Sequence, residues 1–135
     1  MSKTVFIKRK ILFGDCDPEG IVYTPRFSYF AVEATHEALN VWLKGPGLKT
    51  LMGFDILPPA RAFSLEFLNP VTWDDELTMH VSVADVGEHS FSFSVEGFIK
   101  SDILVFTAKL THVCVATDTK KVVMVPEGLR VLLQT

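Results

Sequence analysis

One helical period followed by almost nothing but period-two segments limits what this 135-residue chain can fold into. From Phe27 onward the residues Phe27, Phe30, Ala31, Ala34, Ala38, Val41 and Trp42 fall at three- and four-residue spacing, which is one face of a helix. Thr24-Pro25 predicts its start, with Thr as N-cap and Pro at the first helical position, where the missing N–H had no partner to lose. Arg26, Glu33, Glu37 and Asn40 take the polar side, and Gly45-Pro46-Gly47 stops the helix. Gly45 to Pro59 reads as a connector. From Ala60 the period changes to two. Phe63, Leu65 and Phe67 alternate with Ser64 and Glu66; Leu77, Met79, Val81 and Val83 with Thr78, His80 and Ser82; Phe91, Phe93 and Val95 with Ser92, Ser94 and Glu96. A long run from Ile103 to Thr117 follows, with Lys109 and His112 its only strongly polar interruptions. Trp73-Asp74-Asp75, Gly87-Glu88, Lys100-Ser101-Asp102 and Thr117 to Lys120 supply the turns. Thr4 to Leu12 alternates as well and predicts a first strand. Val122 to Val125 predicts a short strand, and Pro126-Glu127-Gly128 opens a terminal helical segment.

These elements predict an α+β chain, one domain over residues 1–135, in which a single long helix packs on an antiparallel sheet. Ala31, Ala34 and Ala38 are small enough for a twisted sheet to approach the helix backbone and curl around it. Phe27, Phe30 and Trp42 add bulk at the two ends. Such a sheet keeps an edge strand, and the Val113 and Val115 side of the last long run reads as too apolar for a lone protomer; a homo-oligomer, dimer or tetramer, is expected. With a net charge of -3 and interspersed signs, no nucleic-acid footprint is expected. No segment approaches the roughly 18 apolar residues of a membrane span, and no signal-peptide pattern opens the chain, so the expectation is a cytoplasmic protein with no membrane partner. Cys16 and Cys114 have no disulfide or zinc spacing, in keeping with a reducing compartment.

Between the first strand and the helix lies Asp15-Cys16-Asp17-Pro18-Glu19-Gly20, where carboxylates and turn residues are concentrated. Pro fixes φ, Gly permits positive φ and Asp bonds nearby backbone, so the segment reads as an ordered loop feeding the positive end of the helix. Asp17 is thereby a candidate site residue, and a turn or capping Asp by its local sequence alone. Asp15 reads as a residue bonding backbone within the loop. A calcium loop fails because its twelfth position is Arg26 and a strand precedes it. Cys16 reads as a small packed residue, since no His lies near it in sequence to lower its pKa. His36, His80 and His112 lack ligand spacing, so no metal and no cofactor is expected.

The motif Asp15-x-Asp17-x-x-Gly20-x-Val22-Tyr23, followed by a helix and long antiparallel strands over essentially the whole chain, resembles the hotdog-fold thioesterases, in particular the 4-hydroxybenzoyl-CoA thioesterase branch. The resemblance implies one central helix wrapped by a five- to six-stranded antiparallel sheet. It also implies edge-paired dimers that often form homotetramers, and active sites at the interface between subunits. By position it implies Asp17 as nucleophile or general base, and the Thr24 N–H in the first helical turn as the group facing the thioester carbonyl of an acyl-CoA or aroyl-CoA substrate. Gly20, Val22 and Tyr23 would line the site. His89 and Ser90 would meet CoA at the turn between strands, and Glu33 would reach a neighbour's substrate. Two positions depart from the branch. The Val86 to Ser90 turn carries Glu88 where bases are implied, which shifts the CoA phosphates towards Arg61, Lys100, Lys109 or Lys120-Lys121. The helix position that holds a carboxylate in the hydroxybenzoyl branch is Val32, with Glu33 about 100° around the helix. Two other readings stand beside acyl-CoA hydrolysis: hydrolysis of an acyl-carrier-protein thioester, and a non-catalytic thioester-binding oligomer.

Overall fold

The computed structural model describes residues 3–135. Strand β1 (Val5–Lys10) leads through a single 3-10 turn (Phe13–Asp15) and the acidic loop into helix α1 (Arg26–Trp42). Helix α2 (Gly47–Gly53) and β2 (Ile56–Leu57) precede three long strands and their shorter neighbour: β3 (Ala60–Phe67), β4 (Glu76–Val86), β5 (Ser90–Ile99) and β6 (Ile103–Val113). β7 (Val115–Ala116) and helix α3 (Glu127–Gln134) close the chain. The main sheet is antiparallel with order β1-β4-β5-β6-β3, and β2 pairs with β7 separately. This is the hotdog arrangement, α+β with the long helix lying in the curve of the sheet.

The small-residue face does what its spacing predicts. Ala31, Ala34 and Ala38 are fully buried, as is Phe30, while Phe27 and Trp42 pack at the two ends. Leu77, Met79, Val81 and Val83 of β4 and Phe91, Phe93 and Val95 of β5 meet them from the sheet. Full burial of one such side chain contributes roughly 1.5–3 kcal/mol, so this strip supplies much of the cohesion. The Trp42 indole N–H donates to the Lys3 carbonyl at 2.8 Å, tying the helix end to the lead-in of β1. Val41 shares the angular range of this strip, projecting by helical geometry between Phe30 and Ala34, yet it lies in the last turn of the helix and is 58% exposed.

Four expectations change. The helix begins at Arg26, one residue later than Pro25, and Thr24 makes no side-chain cap; backbone turns from the Tyr23, Thr24 and Pro25 carbonyls accept the first helical N–H groups instead. The connector contains α2, anchored by buried Leu51 and by the Gly47 N–H donating to Asn40 Oδ1 at 2.7 Å. The long last run is two strands, broken at Cys114, whose N–H turns to the His89 carbonyl. The segment 122–125 makes one isolated bridge, Val115 to Val122, and no strand of its own.

The unpartnered apolar surface is also elsewhere. Val115 is buried beside β2, and the outer sheet face around Val113 is lined by Thr107, Lys109, Ser94 and Glu96. Edge strand β3 carries the exposed residues instead. Its Phe63, Leu65 and Phe67 stand opposite buried Leu110, Ala108 and Phe106, hence on the core side of the sheet. Phe63 and Phe67 are nonetheless 39% and 49% exposed, because α1 covers that strand incompletely.

Candidate active site

The acidic loop is a small closed hairpin. The Asp17 N–H donates to Ile21 O and the Gly20 N–H to Asp17 O, both at 2.9 Å, and Cys16 bridges Val22. Gly20 takes φ +85°, a left-handed conformation that side chains disfavour, and a Cβ there would stand 3.3 Å from the Trp73 ring. The hairpin is pinned to the segment that leads from β3 into β4: the Val22 N–H donates to Val71 O at 2.8 Å, and the Thr72 hydroxyl donates to Gly20 O at 2.7 Å.

Within it the Asp17 carboxylate is held at one oxygen only. Oδ1 accepts the Glu19 N–H at 2.9 Å, an Asx turn, while Oδ2 has no hydrogen-bond partner among the described residues. The side chain is half-buried. Two residues past the hairpin, Thr24 is exposed and its N–H donates to no acceptor among the described residues. The next three positions have no such freedom. Pro25 lacks an N–H, and those of Arg26 and Phe27 bond Tyr23 O and Thr24 O at 2.8 and 3.2 Å. One free backbone donor therefore stands at the positive end of a 17-residue helix. The hairpin thus offers a carboxylate with a free oxygen, and the helix start a lone N–H donor.

Asp15 takes a larger part than its sequence reading assigned. It is 2% exposed, and its carboxylate is shared by two guanidiniums. Arg9 Nη1 donates to Oδ2 at 2.7 Å, Arg26 Nη2 to Oδ1 at 2.6 Å and Arg26 Nε to Oδ1 at 3.1 Å; the Leu12 N–H adds a bond to Oδ2 at 2.8 Å. Burial alone pushes the carboxyl up, but the bonds from Arg9, Leu12 and Arg26 outweigh it and hold it at about 2. Arg9 lies 4.3 Å over the Phe30 ring and its Nε donates to Glu33 Oε1 at 3.3 Å.

The remaining sequence-derived site residues divide. Gly20 and Val22 belong to the hairpin, Val22 buried within it. Tyr23 follows at the surface, 55% exposed. Glu33 is engaged by Arg9. His89 and Ser90 lie at the far end of the sheet: β4 leaves the hairpin at Glu76 and reaches their turn at Val86, ten steps or about 33 Å away. His89 there pairs with Glu88 at 3.7 Å when protonated. Within one protomer these residues and Asp17 do not form one site. Among the bases named from sequence, Lys100 comes near the hairpin: an open pocket of about 320 Å³ runs between Ile21, Thr72, Ile99 and Lys100. On the other flank the exposed Phe67 ring stands 5.4 Å from Phe27 in the first turn of α1, so the uncovered side of β3 opens beside the helix start. No group of three or more metal-ligating side chains gathers among the described residues, and none of their helices is long and apolar enough to cross a membrane.

The model of the thioesterase-like superfamily matches residues 11–133. A 1,4-dihydroxy-2-naphthoyl-CoA hydrolase of Prochlorococcus marinus (strain MIT 9515) is 26% identical over 130 residues, covering 93% of this chain and 85% of that protein. A 4-hydroxybenzoyl-CoA thioesterase of Pseudomonas sp. (strain CBS-3) is 27% identical over 95 residues, 67% of this chain and 65% of that one. A thioesterase-superfamily crystal structure from Jannaschia sp. CCS1 superposes with a TM-score of 0.89 at 28% identity, over 97% of this chain and 91% of that chain.

Proposed function

As the chain belongs to the thioesterase-like superfamily, we propose that it hydrolyses an acyl-CoA or aroyl-CoA thioester to the free acid and CoA. The observation that carries this reading is the pairing of Asp17, with one anchored and one free carboxylate oxygen, and the unengaged Thr24 N–H at the start of α1. The thioester carbonyl oxygen sits on the Thr24 N–H, where the helix dipole and the hydrogen bond stabilise the negative charge that develops on it. Asp17 acts in one of two ways. As nucleophile its free oxygen adds to the carbonyl carbon, the C–S bond breaks, thiolate leaves with the electron pair, and water then opens the mixed anhydride. As general base it takes a proton from the water that attacks. A thiolate is a good leaving group, so neither route requires a strong general acid, and a single carboxylate suffices.

The exposed core-side face of β3 is covered by a second copy, edge to edge, and the acyl group lies between Phe67, the first turns of α1 and that partner. The CoA handle leaves past Ile21 towards Lys100, the basic residue beside the pocket that adjoins the hairpin. His89 and Ser90 reach a handle only from another protomer.

A free-thiol release assay across benzoyl-, hydroxybenzoyl-, naphthoyl-, phenylacetyl-, short-chain and long-chain acyl-CoAs tests the reading. The expected outcome is kcat/KM above about 10⁴ M⁻¹s⁻¹ for one class. Uniformly slow turnover across the panel, with fast turnover of carrier-protein thioesters, would replace CoA by a carrier as the handle. Tight binding of thioesters without turnover of either kind would leave a binding protein.

A further inference from the structure

Between Asp17 and Thr24 the chain has no rigid element of its own: a hairpin closed by backbone bonds runs into Tyr23, and α1 starts with a turn of i+3 bonds and no side-chain cap. Something must fix the distance from carboxylate to N–H donor, and the buried Asp15 cluster is placed to do so. Asp15 stands two residues before Asp17, and its carbonyl accepts the Tyr23 N–H at 2.9 Å, one residue before the donor. Its carboxylate takes two bonds from Arg26, the first residue of α1, and two from Arg9 on β1. Arg9 extends the connection to Glu33, seven residues along the helix, while its guanidinium carbon lies 4.3 Å from the Phe30 ring centroid. One carboxylate thereby joins the hairpin, the strand and two turns of the helix.

We propose that Asp15, Arg26 and Arg9 are positioning residues for the hydrolysis assigned above, holding the helix start in register with the Asp17 hairpin; the proposal rests on that assignment. The two guanidiniums are not equivalent. Arg9 is the more enclosed, its side chain 21% exposed against 34% for Arg26. With Arg26 removed, Asp15 keeps Arg9 and the Leu12 N–H, so its charge stays compensated and the fold stays intact. What is lost is the tie to the first turn of α1. A small displacement of a donor from the place where charge develops costs rate and not ground-state binding.

The test compares wild type, Arg26→Gln and Arg26→Lys on the thioester that the wild type hydrolyses fastest, with kcat and KM measured separately and the thermal midpoint recorded for each. The expected result for Arg26→Gln is a kcat lowered about 10- to 100-fold with KM within about threefold, at an assay temperature well below its midpoint. Arg26→Lys restores part of the rate, since an ammonium reaches one Asp15 oxygen but cannot make the two bonds of the guanidinium. Amide hydrogen exchange gives a second readout: the Tyr23 and Arg26 N–H groups exchange at least about tenfold faster in Arg26→Gln, with β4 and β5 protection unchanged. Unchanged kcat and unchanged exchange in Arg26→Gln overturn the proposal while leaving the thioesterase assignment standing. A raised KM with unchanged kcat also overturns it, because Arg26 would then contact substrate directly. A wild type with no thioester hydrolysis at all removes the assignment and the positioning role together.

Discussion

Alanine at position 97 should destabilise the protein through one identifiable collision. Gly97 lies in β5 directly opposite Phe106 in β6, and the Phe106 ring folds over it. A Cβ built on Gly97 would stand 2.3, 2.5 and 3.1 Å from ring carbons Cε1, Cδ1 and Cζ. Neither partner has an easy escape. β5 and β6 are interior strands of the sheet, hydrogen-bonded on both sides, so the backbones cannot separate without breaking ladder bonds. The Phe106 ring is fully buried and its far side faces Phe27, 5.3 Å between centroids. Overpacking of this kind costs about 1–3 kcal/mol. A domain of this size loses about 4 °C in Tm per kcal/mol, so Gly97→Ala should melt about 4–12 °C below wild type. Because the displaced ring presses on the first turn of α1, activity should fall as well. Thermal unfolding followed by circular dichroism measures the first effect. The companion is the double variant Gly97→Ala, Phe106→Leu, which trades the ring for a smaller side chain. It should cost less than the two single changes added together, a favourable coupling of 0.5 kcal/mol or more. A Gly97→Ala protein melting within about 1 °C of wild type, or strictly additive single effects, would refute the packing argument.

Other consequences follow from named groups. Asp15 is held at about 2 in the folded chain against an ordinary carboxyl near 3.8, so its contribution of about 2 kcal/mol is present above pH 4 to 5 and disappears as pH falls towards 2. Acid titrations of Asp15→Asn should lack that step, and an identical acid profile in both proteins would contradict the ion cluster. Burial lowers the pKa of His112, whose Nδ1–H donates to the Pro58 carbonyl at 2.8 Å. Neutral in the fold, it adds an earlier loss of stability as pH drops through the ordinary histidine value near 6.5, which His112→Phe should remove from urea midpoints measured at pH 7.5 and pH 5.5. Burial pushes the Cys114 thiol up to about 11, so a thiol reagent at pH 8 should label native protein at Cys16 alone and reach Cys114 only on unfolding; mass spectrometry of the labelled peptides decides it. The exposed β3 face predicts at least a dimer in sedimentation equilibrium, and Phe63→Lys with Phe67→Lys should shift it to monomer and abolish thioester hydrolysis.

The fold was largely legible because its main signals are periodic. The spacing of Ala31, Ala34 and Ala38 marks a helix that a sheet must approach closely, and period-two runs with turn residues between them mark the strands. Periodicity also misled. Phe63, Leu65 and Phe67 read as an ordinary core face, and they do point inward, yet nothing in a strand's own sequence says how far the helix beside it extends. Helix α2 was hidden for a related reason: Gly45-Pro46-Gly47 reads as a helix stop opening a connector, while Leu51 burial and the Asn40 bond that hold the helix are tertiary. At the site, Asp17 and Gly20 announced themselves through turn chemistry. Arg9 and Arg26 did not, since an ion cluster joining residues six and eleven positions apart through different elements has no sequence period. Asp15 was visible as a loop carboxylate, but its partners were not.

The central claim is that Asp17 performs the chemistry, and the most direct measurement is the single-turnover rate of thioester hydrolysis by Asp17→Asn beside wild type. Asn keeps the size of the side chain and an oxygen for the Glu19 N–H, so the hairpin should persist and thioester binding, followed by calorimetry, should remain within about threefold of wild type. The account predicts a rate at least about 10³-fold lower, since an amide oxygen neither attacks nor accepts the proton from water. A variant that binds the thioester and hydrolyses it at the wild-type rate would contradict the account.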